Sequence, residues 1–430
     1  MKRDATLALV ALLAGWAATL WLAPFSDERV NDFFVYRQLV EPLLNGALPY
    51  RDVFLEYPPL AAPAIALPGL LGTEPEAFRA AFAGWTLLLA VATVLLTGAL
   101  AVATGGDRRR ALLAAAAMPL VCGAMVRTHF DLAPVALTLA ALLLLCGGRP
   151  RVGLAVLGAA AMTKGFPLLA APPAIAWLVS RGDHRGALQG SAAMALTMGA
   201  IAAAALALSP QGALDAVTYH LDRPVQVESA PASVLIGLDA LGAGSELSVS
   251  SHRSDGLTHP ADDPVSALFL VLMLVVVGLM TAFAARARGT GVQPAEPAAS
   301  ARQARAMVLA ALTCVAAFAA FGRVLSPQYL IWTFPLLALA FAWRMHALAA
   351  LLAVATVLTQ LEFPARYFDV VERDPLALTL VAARNLALAA AVSLPAAAAA
   401  RSLWPCRRRP PRSARRSATD PLRRSRTSPG

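Results

Sequence analysis

The sequence predicts an all-α polytopic membrane protein, a bundle of about 10–12 transmembrane helices with outward-facing juxtamembrane loops. Three observations predict it. Of 430 residues, 58% are hydrophobic and only 14% charged, too apolar for a soluble chain of this length. Apolar runs recur along the whole chain, and an unbroken run of roughly 18 or more such residues reads as a membrane span. Lys and Arg are shared unequally between alternate connections.

Residues 5–24 form the first run, behind a short charged start. Its length and the many runs after it favour a retained helix over a cleaved signal peptide. Runs at 80–104, 132–146, 187–208, 264–285, 306–321 and 376–400 follow. Shorter ones at 111–126, 328–343 and 347–361 suit spans packed inside a bundle. Segment 152–180 is long for one helix and short for two, and Lys164 and Pro167 interrupt it. Two short helices, or a re-entrant pair, give about twelve spans and gather the Lys/Arg-rich connections on the side of the N-terminus. That side then holds 24 of the 36 Lys and Arg but five of the 26 acids. By the positive-inside rule it is cytoplasmic. Read as a single span, 152–180 would send later basic loops outside, against that rule. Both termini are therefore expected in the cytoplasm and the protein in the cell membrane. Heavy use of Ala, Arg and Pro with few lysines fits a bacterium of high GC content.

Residues 1–400 form the expected transmembrane domain, with outer loops at 25–79 and 209–263. Residues 401–430 form a basic tail, expected to be disordered because Pro, Ser and like charges dominate it. No aromatic residue follows Trp404 to stack on bases, so the tail is assigned to topology and to anionic membrane lipids, not to nucleic acid. The cysteines, Cys122, Cys146, Cys314 and Cys406, show neither metal-ligand nor disulfide spacing. No metal and no cofactor is expected.

With this sidedness the polar clusters meet on the outer face. The opening loop, NDFFVYRQLVEPLLNGALPYRDVFLEYPPL over residues 31–60, carries Asp32, Tyr36, Asp52, Glu56 and Tyr57. Asp32 and Tyr36 are spaced i, i+4, so a helix there shows both on one face. Phe33, Phe34 and Tyr36 equally suit an aromatic belt at the membrane interface. The apolar stretch 60–71 is too short to span and suits an interfacial or re-entrant piece. A turn between two spans carries Arg127, His129 and Asp131, with an interface anchor as the plain reading of Arg127. The loop at 209–263 carries Arg223 and Glu228 around a proline-bounded stretch, where a local salt bridge is the simpler alternative. Arg323 and the run Ser326-Pro-Gln328-Tyr329 join from a later turn.

Lys164 is the sharpest signal. It lies about 12 residues into an apolar segment, roughly 18 Å along a helix at 1.5 Å per residue. A cation at that depth costs about 2.5–3.5 kcal/mol on insertion scales unless it meets an anion or snorkels outward. Pro167 breaks the helix at the same level. An anion site is the favoured reading.

These residues, taken in order, resemble a known family. Asp32 to Tyr36, Asn45-Gly-Ala-Leu-Pro-Tyr50-Arg-Asp52 and Glu56-Tyr-Pro-Pro59 resemble the first outer loop of the GT-C glycosyltransferases, and of glycosyltransferase family 87 in particular. Arg127 to Asp131, Lys164-Gly-Phe-Pro167, Arg223-Pro-Val-Gln-Val-Glu-Ser and Ser326-Pro-Gln-Tyr-Leu-Ile-Trp332 fit the same pattern. The likeness covers most of residues 1–400. It departs at Asn31-Asp32 and at Phe166, where tyrosine is common.

The resemblance implies a GT-C-like bundle and an inverting transfer of a hexose, with mannose expected. The donor is a polyprenyl-phosphate sugar, and the acceptor a cell-envelope lipid or glycan on the outer face. A carboxylate must take the acceptor's proton, for which Asp32 is the candidate. Cations must stabilise the departing phosphate, for which Lys164, Arg127 and Arg223 are candidates. Tyr57, Tyr329 and Trp332 suit stacking on sugar or lining a lipid groove. Tyr36, Glu56, His129, Asp131, Glu228 and Gln328 are the remaining candidate substrate contacts. A polytopic lipid or glycan transporter is the rival class. It would place ionisable groups along a route through the bundle and show paired half-sequence repeats. No convincing repeat is visible, and the polar residues gather at one face.

Overall fold

Proline, glycine and charged residues cut the apolar sequence into helices wherever two runs meet. The computed structural model describes residues 2–287 and 297–403. The expected tail falls almost wholly outside the described residues, as does Cys406. Helix α1 (Lys2–Trp21) leads into a connection holding α2 (Phe33–Leu44) and α3 (Ala61–Ala66). Helix α4 (Pro75–Ala103) returns. The run at 111–126 is three short helices, α5 (Arg108–Ala116), α6 (Met118–Cys122) and α7 (Met125–Thr128). Pro119 opens α6, and Gly123, at φ 55°, supplies the left-handed residue that ends it.

Helix α8 (Leu132–Cys146) is followed by α9 (Pro150–Ala161) and α10 (Ala171–Ser180). Segment 152–180 is thus two helices, joined by an irregular turn through Thr163, Lys164, Gly165 and a 3-10 turn over Phe166–Ala170. Next come α11 (His184–Leu208) and a second connection with α12 (Pro210–Leu221) and α13 (Ala230–Ala240). The last elements are α14 (Asp262–Arg286), α15 (Pro297–Phe321), α16 (Leu330–Ala342), α17 (His346–Glu362), α18 (Tyr367–Val371) and α19 (Pro375–Leu403).

Among the described residues six helices, α1, α4, α11, α14, α15 and α19, are long and apolar enough to cross a membrane. Helices α8, α9, α10, α16 and α17 are shorter apolar pieces packed between them. The fold is an all-α polytopic membrane bundle. Helix α15 is its axis: 83% of its apolar window is buried, against 6% for α11 and 17% for α14. The sequence explains the difference. Helix α15 is dense in alanine and small residues that let neighbours approach on every side. Helices α11 and α14 present leucine and valine outward.

The second connection, between α11 and α14, holds three short strands that the sequence did not announce: β1 (Val225–Gln226), β2 (Leu247–Ser251) and β3 (Ser254–Thr258). They pair antiparallel in the order β1-β3-β2, with Ser251 opposite Ser254. The two turn residues, His252 and Arg253, have φ of 53° and 54°. Both being positive, the tip has the primed geometry that matches strand twist. Glycine or asparagine would sit there without strain; histidine and arginine do not.

Candidate active site

Asp32 precedes α2, a place where aspartate often spends its carboxylate on the first turn's N–H groups. Here Asn31 does that work. Its Oδ1 accepts the Phe33 N–H at 2.9 Å, and Asp32 makes no capping bond. Asp32 Oδ2 accepts from the Tyr36 hydroxyl at 3.1 Å and lies 3.5 Å from His129 Nε2. The side chain keeps 31% of its surface exposed, so this carboxylate is held yet open. Tyr36 is enclosed. Burial, reinforced by the Asp32 charge, holds its hydroxyl well above the ordinary phenol range, so it remains a donor.

His129 is extended (φ −129°, ψ 147°) whereas Asp131, just before α8, is already helical (φ −57°, ψ −26°), so the chain turns between them and their side chains part. His129 faces Asp32, while Asp131 Oδ1 accepts from Lys164 Nζ at 2.7 Å and from the Trp332 indole N–H. Phe130 lies between, with its ring 5.9 Å from Tyr36, 5.0 Å from Tyr57 and 5.0 Å from the Lys164 ammonium. Tyr57, Tyr329 and Trp332 complete a cage around that ammonium at 5.6, 5.7 and 5.3 Å. Trp332 is itself sandwiched, 4.0 Å from Phe166 and 3.8 Å from Tyr329 in near-parallel stacks. The connection between α1 and α4 is pinned to this turn, for Leu60 N–H donates to the Met162 carbonyl at 2.8 Å.

The anion that Lys164 needs is therefore supplied by the protein. Asp131 is fully buried and the Lys164 side chain is 10% exposed. A charge-assisted hydrogen bond and cation–π contacts worth about 0.5–2 kcal/mol each offset the burial. One acceptor engages one of the ammonium's three donors.

Arg127 has partners different from those expected of a phosphate ligand. Its Nε donates to the Thr19 carbonyl at 2.9 Å, and its guanidinium pairs with Glu28, which also pairs with Arg79. Arg127 is buried and ties the end of α1 to the segment just before Asp32. Arg223 donates from Nε to Ser254 Oγ at 3.3 Å, on the β2–β3 hairpin, and does not pair with Glu228.

Glu228 is fully buried elsewhere, between β1 and the C-terminal helices. Its carbonyl accepts from Arg384 and Asn385, its Oε2 from Gln226 at 2.9 Å, and Arg384 also faces Glu362 at 3.7 Å. Burial, and then the neighbouring Glu362 carboxylate, push its carboxyl well above the usual range. The structure does not join it to the Asp32–Lys164 group. Gln328, next to Tyr329 in the chain, is buried, its Oε1 accepting from Ser326 at 2.6 Å.

Glu56 lines a small cleft of about 110 Å³ between α2 and residues 53–57. Tyr36 and Tyr57 line it too, so it adjoins both Asp32 and the lysine cage. Arg253, on the hairpin tip, closes one side, with Nη1 3.8 Å from Glu56 Oε1. The His220 ring donates from Nε2 to the Glu56 carbonyl at 2.7 Å. Burial holds that imidazole below its ordinary pKa, which suits the neutral donor.

Sequence reasoning missed Glu28 as an Arg127 partner, Phe130 as the divider, and Arg253, Glu362 and Arg384 altogether. A buried arginine within the apolar run 376–400 is the same kind of signal as Lys164 and could have flagged Arg384. Nothing in the sequence marks the hairpin tip. Among the described residues no group of three or more His, Cys, Asp or Glu is arranged to hold a metal ion.

A search among curated proteins finds no match. Among solved structures, the Archaeoglobus fulgidus oligosaccharyltransferase in its apo form aligns at 14% identity and a TM-score of 0.42. The alignment covers 90% of this chain and 56% of that one, so the chain spans little more than half its length. The profile of glycosyltransferase family 87 matches residues 54–314, a stretch that holds Glu56, Tyr57, the Arg127–Asp131 turn, Lys164, Arg223 and Arg253. With well over half the sequence inside that match, the chain belongs to glycosyltransferase family 87.

Proposed function

We propose that this protein transfers a hexose, mannose in the first instance, from a polyprenyl-phosphate donor to a lipid or glycan of the cell envelope. The transfer inverts the anomeric centre, on the outer face of a bacterial cell membrane with both termini inside. One observation carries the reading: Asp32 is a carboxylate held by Tyr36, released from helix capping by Asn31 and open to a ligand.

Asp32 accepts the proton of the acceptor hydroxyl as that oxygen attacks the anomeric carbon. The bond from that carbon to the phosphate oxygen breaks, and the lipid phosphate departs with the electron pair. Asp131 is unsuited to the same task, being buried and occupied by Lys164 and Trp332. Lys164, oriented by Asp131, turns its remaining donors to the departing phosphate, and Arg223 supplies a second cation from the hairpin side. Tyr57, Tyr329 and Trp332 line the approach. Arg127 acts as a positioning residue, since its bonds to Thr19 and Glu28 set the chain leading into Asp32.

The test is purified full-length protein in lipid nanodiscs, given radiolabelled polyprenyl-phosphate mannose and an envelope lipid extract. A labelled product that vanishes in Asp32→Asn is expected. Label crossing the bilayer of proteoliposomes with no product formed would replace the transferase reading with a flippase.

A further inference from the structure

We infer that Glu228 and Glu362 hold one proton between them, and that this proton fastens strand β1 to the C-terminal helices. The pair is a proton-binding site that is not part of the Asp32–Lys164 group. Its consequence for Arg223 rests on the transferase reading above; the site itself does not.

Charge is the first observation. Glu228, Glu362 and Arg384 are fully buried, and Gln226 nearly so. Two carboxylates and one guanidinium leave a negative charge uncompensated among sealed groups, whereas buried charges are ordinarily paired. Arg384 Nη1 stands 3.9 Å from Glu228 Oε1 and 3.7 Å from Glu362 Oε2, between the two acids and bonded to neither. Its other nitrogens serve neutral acceptors, Nη2 the Glu228 carbonyl at 2.5 Å and Nε the Asn385 side chain at 3.1 Å. Asp255 on β3 and Tyr367 on α18 also face Glu228. They are bonded to each other, the Tyr367 hydroxyl donating to Asp255 Oδ2 at 2.8 Å, and neither brings a positive charge.

Hydrogen bonding is the second. Among the described residues Gln226 Oε1, Glu228 Oε1, both Glu362 oxygens and Arg384 Nη1 make no hydrogen bond, although buried polar atoms normally do. The two carboxyls lie within hydrogen-bonding reach of each other. As carboxylates neither can donate. One proton between them makes a charge-assisted bond from an acid to a carboxylate and leaves a single negative charge opposite Arg384. A second proton would strip the guanidinium of its counter-charge. A metal ion would meet that guanidinium at close range, whereas a proton lies within the carboxyl pair.

The third observation is what the cluster holds. The Glu228 carbonyl accepts from Arg384 and, at 3.1 Å, from Asn385, both on α19. Gln226 N–H donates to the Arg323 carbonyl and Val227 N–H to the Asp255 carbonyl, each at 3.1 Å. Strand β1 is thus joined to β3 and to the turn leading into Tyr329, with the acid pair at its end. Arg223 lies two residues before it. Loss of the shared proton puts a second negative charge among sealed groups, which is relieved by admitting water between β1 and α19. On the transferase reading, Arg223 is then no longer held at the departing phosphate.

The experiment is infrared spectroscopy of the full-length protein in lipid nanodiscs, titrated from mildly acidic to basic buffer, with hydrogen–deuterium exchange mass spectrometry on the same samples. Wild type is expected to show a protonated-carboxyl C=O band near neutral pH that Glu228→Gln and Glu362→Gln both lack, since removing either acid leaves one carboxylate for Arg384. Above the titration of that band, the β1 peptide of wild type is expected to lose protection relative to Glu228→Gln at the same pH. The loss approaches about tenfold per pH unit, the limit for one linked proton. A band absent from wild type, a band surviving in either variant, or parallel protection in wild type and Glu228→Gln overturns the site. Affinity for polyprenyl-phosphate mannose should weaken over the same range in wild type and hold in Glu228→Gln; pH-independent affinity in wild type overturns the link to Arg223. The expected band and protection with no binding of that donor at any pH keep the proton site and remove the transferase reading. Sugar transfer by a wild type without the band does the reverse.

Discussion

Removing either partner of the Lys164–Asp131 pair is expected to destabilise the fold far more than removing both. The pair is 2.7 Å apart, with Asp131 fully buried and the lysine side chain 10% exposed. Lys164→Met leaves a carboxylate sealed among aromatic rings with only the Trp332 indole as donor. Asp131→Asn leaves the buried ammonium an amide oxygen and aromatic faces but no counter-charge. Breaking a buried pair from one side costs about 3–5 kcal/mol, whereas replacing both charges by uncharged groups is often close to neutral. The double variant Lys164→Met, Asp131→Asn is therefore expected within about 2 kcal/mol of wild type, giving a coupling of several kcal/mol. Reversible unfolding in mixed detergent, followed by tryptophan fluorescence, measures all four proteins, and Trp332 reports the site directly. Single effects that add to within about 0.5 kcal/mol would refute the reasoning, because independent sites add in that way. A lysine snorkelling to the headgroups would show Lys164→Met as nearly silent.

Three further outcomes are expected. Asp32→Asn should lower kcat by about 10²–10⁴-fold, the usual contribution of a general base, with donor Kd unchanged in equilibrium binding. Arg127→Lys keeps the charge but cannot span Thr19 and Glu28 together, so kcat should fall while donor Kd and the pH profile hold; a matching loss of donor affinity would make Arg127 a phosphate ligand instead. Glu228 carries its carboxyl above the unfolded value of 4.5, so the native state holds the proton more tightly. Its contribution to stability is complete below that value and is lost as pH rises through the folded pKa. Thermal midpoints of wild type should drop between mildly acidic and mildly basic buffer more than those of Glu228→Gln, and parallel curves would count against the buried pairing.

Much of the bundle was legible because its signals are local. A run of Ala, Leu and Val spans hydrocarbon whatever its neighbours are, and Lys164 with Pro167 broke 152–180 into α9 and α10 for reasons held within that segment. The Asp32–Tyr36 contact was readable from i, i+4 spacing for the same reason. The strands of the second connection were not, since β2 is mostly exposed and β1 is two residues long; their pairing depends on docking, not propensity. The sequence grouped Arg223 with Glu228, five positions along one loop, while packing gave the arginine to Ser254 and the acid to Arg384.

By itself, then, the sequence determined that the chain is a membrane bundle, that its acids, cations and aromatics gather in a few connections, and that a deep lysine requires an anion. Only the tertiary structure decided which acid answers that lysine and which one stays open. Asp131 and Trp332 reach Lys164 from helices distant in the chain, and Asn31 frees Asp32 from the helix end. The need for a counter-charge is a property of one residue in hydrocarbon. Its fulfilment is a property of how α8, the α9–α10 turn and α16 pack together.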